Sequence, residues 1–246
     1  MAEPGASGFL PEGFDPDPAL VEQLSSRPGY QRVVTGGKEC LLVLHEVPQP
    51  GVPERQAVYL WQRADGKWLA GGGRSAAQVL NALLDRFGDA IDEEEAELEA
   101  AESAKDVFAV LRHASPLARS TRNLAKVLYG AVERGPDDRM LVHARDRAKE
   151  LERAAELLLS DATTMLDFRR SEAAEEHAEA ADALAKTAFR LNLLAGFFLP
   201  LVALGGLLGM NVDLPDWLDP GFWPVVMLGL VLGGVVVSIV GRKGRE

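Results

Sequence analysis

The chain has 246 residues, 26 Lys+Arg against 37 Asp+Glu, and a formal net charge of −11. An acidic balance of this size argues against nucleic acid as a partner, and a single cysteine, Cys40, excludes an internal disulfide and any cysteine-based zinc cluster. The four histidines, His45, His113, His143 and His177, do not stand at metal-ligand spacing, so the sequence predicts no structural zinc.

In chain order, residues 1–29 are rich in Pro, Gly and Asp and read as an extended, poorly ordered, flexible lead-in. They carry no basic n-region and no apolar core, so no secretory signal is expected and the soluble part is assigned to the cytoplasm. YQRVVT and ECLLVLHEV flank a GGK turn, and AVYLWQ and KWLAG flank RADG. These patterns predict two hairpins, and with them a small, mostly antiparallel sheet of three or four strands. Cys40 begins the apolar run CLLVL and reads as a core thiol. GGGRS at 71–75 lacks the spacing and the lysine of a phosphate loop and reads as a strand-to-helix turn.

From Ser75 the pattern turns helical. Ala76, Val79, Leu80, Leu83, Leu84 and Phe87 follow the spacing of an amphipathic helix. A second helix is expected over IDEEEAELEAAESAKDVFAVLRHA, a break at Pro116, and a third helix over PLARSTRNLAKVLYGAVER. The acidic run DEEEAELEAAE is a solvated helix face on the simplest reading, and a cation-binding face on the alternative. Residues 30–135 thus form a small α/β domain with acidic helices.

No Pro or Gly occurs between Asp137 and Gly196. Residues 136–190 are therefore read as a long stalk helix that runs straight into the apolar segment beyond Arg190. Ala144, Ala148, Leu151, Ala155, Leu158, Ala162 and Met165 form a seam in steps of four and three, expected to pack against copies of the same helix. Residues 191–212 contain no charged side chain, and neither do residues 222–241. Each run suffices for about 20 residues of membrane-spanning helix. The first is read as transmembrane helix 1, the loop 213–221 as extracytoplasmic, the second as transmembrane helix 2, and 242–246 as a basic tail. Lys186 and Arg190 precede the first span, Arg242, Lys243 and Arg245 lie beyond the second, and the loop between has neither Lys nor Arg. Positive flanks stay inside, so both termini face the cytoplasm of a multi-pass protein of the inner (plasma) membrane. No nucleophile–base pair stands out, and an enzyme is not expected.

The stretch FFLPLVALGGLLGMN, with a short acidic loop and a last span with a basic tail, resembles the CorA family of magnesium transporters. Pro200 corresponds to the proline of the family's first span, Gly206 to a small residue nearer the filter, and Gly209, Met210 and Asn211 to its signature tripeptide. The resemblance is specific over residues 185–245, looser over the long helix, and architectural in the soluble region, which is shorter than is usual in the family. It implies a homopentameric funnel: an α/β cytoplasmic domain, a long stalk helix and two C-terminal transmembrane helices. The first spans would line the pore in a lipid bilayer.

On that resemblance Asn211 lines the pore mouth by its side chain and Gly209 by its carbonyl, while Met210 packs. Leu191, Asn192, Leu199 and Val202 take pore-lining or gating positions, with Asn192 either lining the pore or bonding a neighbouring helix. Pro200 and Gly206 serve helix bending and packing. A neutral amide ring can hold a hydrated Mg2+ without stripping its water. Asp213, Asp216 and Asp219 lie just outside and either attract cations or keep the loop wet. The transported ion implied is Mg2+, with Co2+, Ni2+ or Zn2+ as alternatives. The alternative activities are a zinc transporter of the same superfamily, proton-coupled or not, and a non-conducting or partner-gated membrane scaffold.

Overall fold

A computed structural model describes residues 10–24, 29–49, 51–52, 55–135, 137–209 and 222–243. The chain divides into two compact units, residues 1–170 and 171–246.

The first unit opens with a one-turn helix, α1 (Pro18–Val21), started by Asp17, whose side chain accepts the amide of Ala19 at 2.8 Å. Four strands come next: β1 (Arg32–Gly36), β2 (Glu39–His45), β3 (Ala57–Gln62) and β4 (Trp68–Ala70). They form one antiparallel meander in the order β1-β2-β3-β4. Both expected hairpins are present. Gly37 supplies the positive φ of 58° that a two-residue hairpin loop needs at its first position, and Gly66, with φ 81°, takes the left-handed last position of the three-residue loop that the Arg63–Lys67 pair closes.

Strand alternation gives the sheet two apolar faces. Leu42, Leu44, Leu60 and Ala70 face the helices and join the main core. Val34, Leu41, Val43, Tyr59 and Trp61 face the other way and are covered by Leu10, Phe14, Leu20 and Leu24. This corrects the reading of 1–29 as an extended lead-in over its described part. Pro, Gly and Asp set the composition, yet four well-spaced apolar side chains bury the sheet's second face. Gly36 fits the arrangement closely, since a Cβ there would lie 2.8 Å from the amide nitrogen of Leu20.

A 3-10 turn at Gly71–Gly73 leads into α2 (Ala76–Glu99), and α3 (Ala104–Arg134) packs antiparallel to it. The helix boundaries differ from expectation. No break occurs at Pro116, and the chain turns instead at residues 100–103. Ser103 starts α3 with a capping box: its Oγ accepts the amide of Asp106, whose carboxylate accepts the amide of Ser103. Pro116 withholds one intrahelical donor from the carbonyl of Arg112. Buried neighbours on both sides, Ala114, Leu117 and Ala118, hold the helix together through it.

The longest element is α4 (Arg139–Gly209). Asp138 caps its start: one carboxylate oxygen accepts the amides of Met140 and Leu141 at 3.0 and 3.4 Å, and the other accepts the Trp68 indole N–H at 2.7 Å. Within the first unit the seam from Ala144 to Ala162 is buried in the domain's own core, not kept for a second copy as the sequence reading expected. Leu151 packs on Gly88 of α2. Ion pairs at the rim tie the same helices, Arg122 to Glu156 at 2.6 Å and Arg147 to Asp85. The small alanines explain the difference. They let α4 approach α2 and α3 closely enough to complete a three-helix layer under the sheet.

Cys40 is partly buried against this core, and burial pushes its thiol up to about 11, so it stays protonated and unreactive at neutral pH.

The second unit contains the rest of α4 and α5 (Phe222–Lys243). Here the two helices run antiparallel in close contact. A Cβ on Gly196 would sit 3.1 Å from Val236 Cγ1, one on Gly229 2.8 Å from Leu201 Cδ2, and one on Gly233 2.6 Å from the Phe197 carbonyl oxygen. Glycine at 229 and 233, four residues apart on one face of α5, lets the backbones meet, as small residues do between helices in lipid.

Candidate functional site

In α4 an 18-residue window has a mean hydropathy of 1.7 and none of it is buried. Among the described residues α4 is the one helix long and apolar enough to cross a membrane; the described apolar stretch of α5, Val226–Ser238, is shorter. Exposed large apolar side chains crowd both helices, among them Leu194, Phe198 and Leu199 on α4 and Met227, Val231 and Val235 on α5. Apolar surface of this extent is not left to water in a stable protein.

The α4 face that meets α5 carries Gly196, Phe197, Leu201 and Leu204. At about 100° per residue, Leu191, Asn192, Leu199, Val202, Gly206 and Gly209 fall on the opposite side, within roughly 100° of arc. Leu191, Leu199 and Val202 are 61%, 70% and 69% exposed, and Asn192 and Gly206 are exposed too. Pro200 is half-buried, toward the α5 side. Gly209 is the last residue of α4. Met210, Asn211, Asp213, Asp216 and Asp219 lie outside the described residues.

A second group of chemically capable side chains lies in the first unit. Glu94 and Glu97 are one helical turn apart on α2 and share a face, and His113 of α3 lies opposite. His113 Nδ1 is 2.8 Å from Glu94 Oε1. One potential ligand atom from each of the three lies within 4.8 Å of the others. They line a cavity of about 270 Å3 between α2, α3 and the Val47–Pro48 segment. The Glu94 side chain is 13% exposed, and its Oε2 is buried with no hydrogen-bond partner among the described residues. Burial raises the Glu94 carboxyl above its ordinary value, with nearby Glu97 and Glu93 adding to the effect and His113 opposing it.

Residues 40–242 match the sequence family described as CorA-like Mg2+ transporter protein. The chain belongs to this family. It is thereby a divalent-cation transporter of the CorA superfamily and not an enzyme. No curated protein sequence matches it. Among solved structures, the full-length CmaX protein is similar over 92% of this chain and 80% of its own, with 20% identity and a TM-score of 0.58. The CorA magnesium transporter from Methanocaldococcus jannaschii is similar over 85% of this chain and 78% of its own, with 15% identity and a TM-score of 0.48. The ZntB cytoplasmic domain from Vibrio parahaemolyticus RIMD 2210633 is similar over 63% of this chain and 77% of its own, with 14% identity and a TM-score of 0.39. The likeness to CmaX shows the fold: a sheet backed by helices, with one long helix.

For this CorA-family chain the sequence reading missed the convergence on His113. Glu94 and Glu97 lie inside the acidic run DEEEAELEAAE, but no spacing rule ties them to a histidine on the next helix. The available signal was the Ser-x-x-Asp cap at Ser103, which sets the α2–α3 turn and hence the pairing of the two helices.

Proposed function

We propose that five copies of the chain assemble around a common axis and conduct Mg2+ down its electrochemical gradient through a pore lined by α4. On this reading residues 191–212 form the pore-lining span, 213–221 an acidic outer loop, 222–241 the second span and 242–246 a basic tail. Both termini lie in the cytoplasm and the spans in the inner membrane. The observation that carries the reading is the uncharged face of α4 from Leu191 to Gly209, left open on the side away from α5, in a chain of this family.

The chemistry is consistent throughout. Asn211 offers an amide to the water shell of the ion, and Gly209 offers a carbonyl. Mg2+ dehydrates reluctantly, so neutral acceptors that bind its water let it pass where a carboxylate ring would hold it. Asp213, Asp216 and Asp219 raise the cation concentration outside that ring. Leu199 and Val202 narrow the pore with apolar side chains that close by dewetting. An inside-negative potential contributes about 4.6 kcal/mol per 100 mV to a doubly charged ion, so no nucleotide site is required.

Flux into proteoliposomes tests the proposal. Wild-type protein takes up Mg2+, and Asn211→Ala changes uptake while the oligomer stays intact. Failure of the intact protein to carry Mg2+, Co2+, Ni2+ or Zn2+ would overturn it.

A further inference from the structure

We propose that Glu94, Glu97 and His113 form a binding site for one divalent transition-metal cation, held within a single chain between α2 and α3. The ligand set points to the class of ion. One imidazole nitrogen with two carboxylate oxygens suits Zn2+, Co2+ or Ni2+, whereas Mg2+ prefers oxygen ligands in near-ideal octahedral geometry and keeps several of its waters. Three protein ligands leave a position for water in a tetrahedral shell.

The geometry needs little adjustment. Ligands about 2.0–2.2 Å from a common ion stand roughly 3.3–3.6 Å apart. Glu94 Oε1 and His113 Nδ1 are already 2.8 Å apart, and all three ligand atoms lie within 4.8 Å of one another. Glu97 is exposed and can swing in. The cavity of about 270 Å3 has room for the ion and several waters, each about 30 Å3.

A separate observation calls for a ligand here. Glu94 Oε2 is buried without a partner among the described residues. An unsatisfied buried acceptor costs about 1–3 kcal/mol, more when charged. A cation between the three side chains relieves that cost, as does a proton on Glu94 or a water donating to it from the cavity. A cation has the further advantage of offsetting the repulsion between the Glu94 and Glu97 carboxylates while taking the His113 nitrogen as a ligand.

The site does not depend on what the pore carries. Its ligands belong to the first unit, and its preference for imidazole-binding metals differs from that of an amide ring selecting hydrated Mg2+.

The test uses the full-length protein in detergent, stripped with chelator. Co2+ is followed by its visible d–d absorption, and Zn2+ by calorimetry. Wild-type protein binds one ion per chain, and Zn2+ raises its thermal midpoint. Glu94→Gln and His113→Gln abolish this binding, and Glu97→Gln weakens it at least about tenfold. Glu97 is exposed, so that variant stays folded even if the others do not. Asn211→Ala retains the site. Unchanged binding and thermal shift in Glu97→Gln, no binding by wild-type protein at millimolar metal, or loss of binding with Asn211→Ala alone would each overturn the proposal. Failure of Mg2+ flux with this binding intact would remove the transport reading and leave the metal site standing.

Discussion

Gly233→Ala probes the contact between α4 and α5 most directly. A Cβ built at Gly233 lies 2.6 Å from the carbonyl oxygen of Phe197 and 3.1 Å from its Cδ2. Non-bonded heavy atoms ordinarily rest about 3.5 Å apart or more. The ring can turn aside, but the carbonyl belongs to the α4 backbone, so the helices must separate by close to an ångström. Overpacking of this kind costs about 1–3 kcal/mol. Gly234 is the internal control, because a Cβ there meets nothing within 4 Å. Alanine at that position gains up to about 1 kcal/mol in helix propensity. Gly229 falls between the two: its nearest neighbour is Leu201 Cδ2 at 2.8 Å, the mobile end of a side chain. Thermal unfolding in detergent should therefore rank Gly234→Ala at or above wild type, Gly229→Ala below it and Gly233→Ala lowest. Equal stability of the Gly233 and Gly234 variants would refute the packing argument.

Three further outcomes concern the first unit. Leu128 is fully buried in the C-terminal third of α3, and Leu128→Ala should cost about 2–5 kcal/mol in denaturant titration. Asp138→Ala removes the cap of α4 and leaves the Trp68 indole N–H unpaired; it should cost about 0.5–2 kcal/mol for the cap alone, measured the same way. His45 is held below its ordinary value of 6.5 by burial first, then by Arg55 and Arg32, against a backbone hydrogen bond at Gly29. The unfolded chain then binds the proton more readily than the folded one. Its contribution to stability is present above pH 6.5 and is lost as the pH falls through the folded value. Unfolding midpoints measured from pH 8 to pH 5 should fall on the acid side, and His45→Gln should flatten that limb.

Alternation and turn residues made the sheet legible. CLLVL between GGK and Pro48 admits little but a strand buried on both faces, and all four strands lie in the expected segments. The length of α4 was legible from the absence of Pro and Gly before Gly196. What covers each apolar face was harder to read. The Ala144–Ala162 seam has the same spacing whether it meets a copy of itself or the domain's own α2 and α3. The sheet's second face is closed by Leu10, Phe14, Leu20 and Leu24, scattered among residues whose average composition resembles disorder. Pro116 misled for a related reason: a proline breaks an isolated helix, while packing on both sides can carry one through. In the candidate site, the GMN resemblance could be read from adjacent letters. The His113 cluster depends on the phase of two helices, which a sequence does not state.

Pro200 has a mechanical corollary. Lacking an N–H, it leaves the carbonyl of Gly196, on the face toward α5, without its usual helical donor. The α4 rod is therefore weakest over that single turn. Bending of α4 is expected to concentrate there, tilting the segment from Val202 to Gly209 like the tip of a jointed finger while the turns before Gly196 keep their shape.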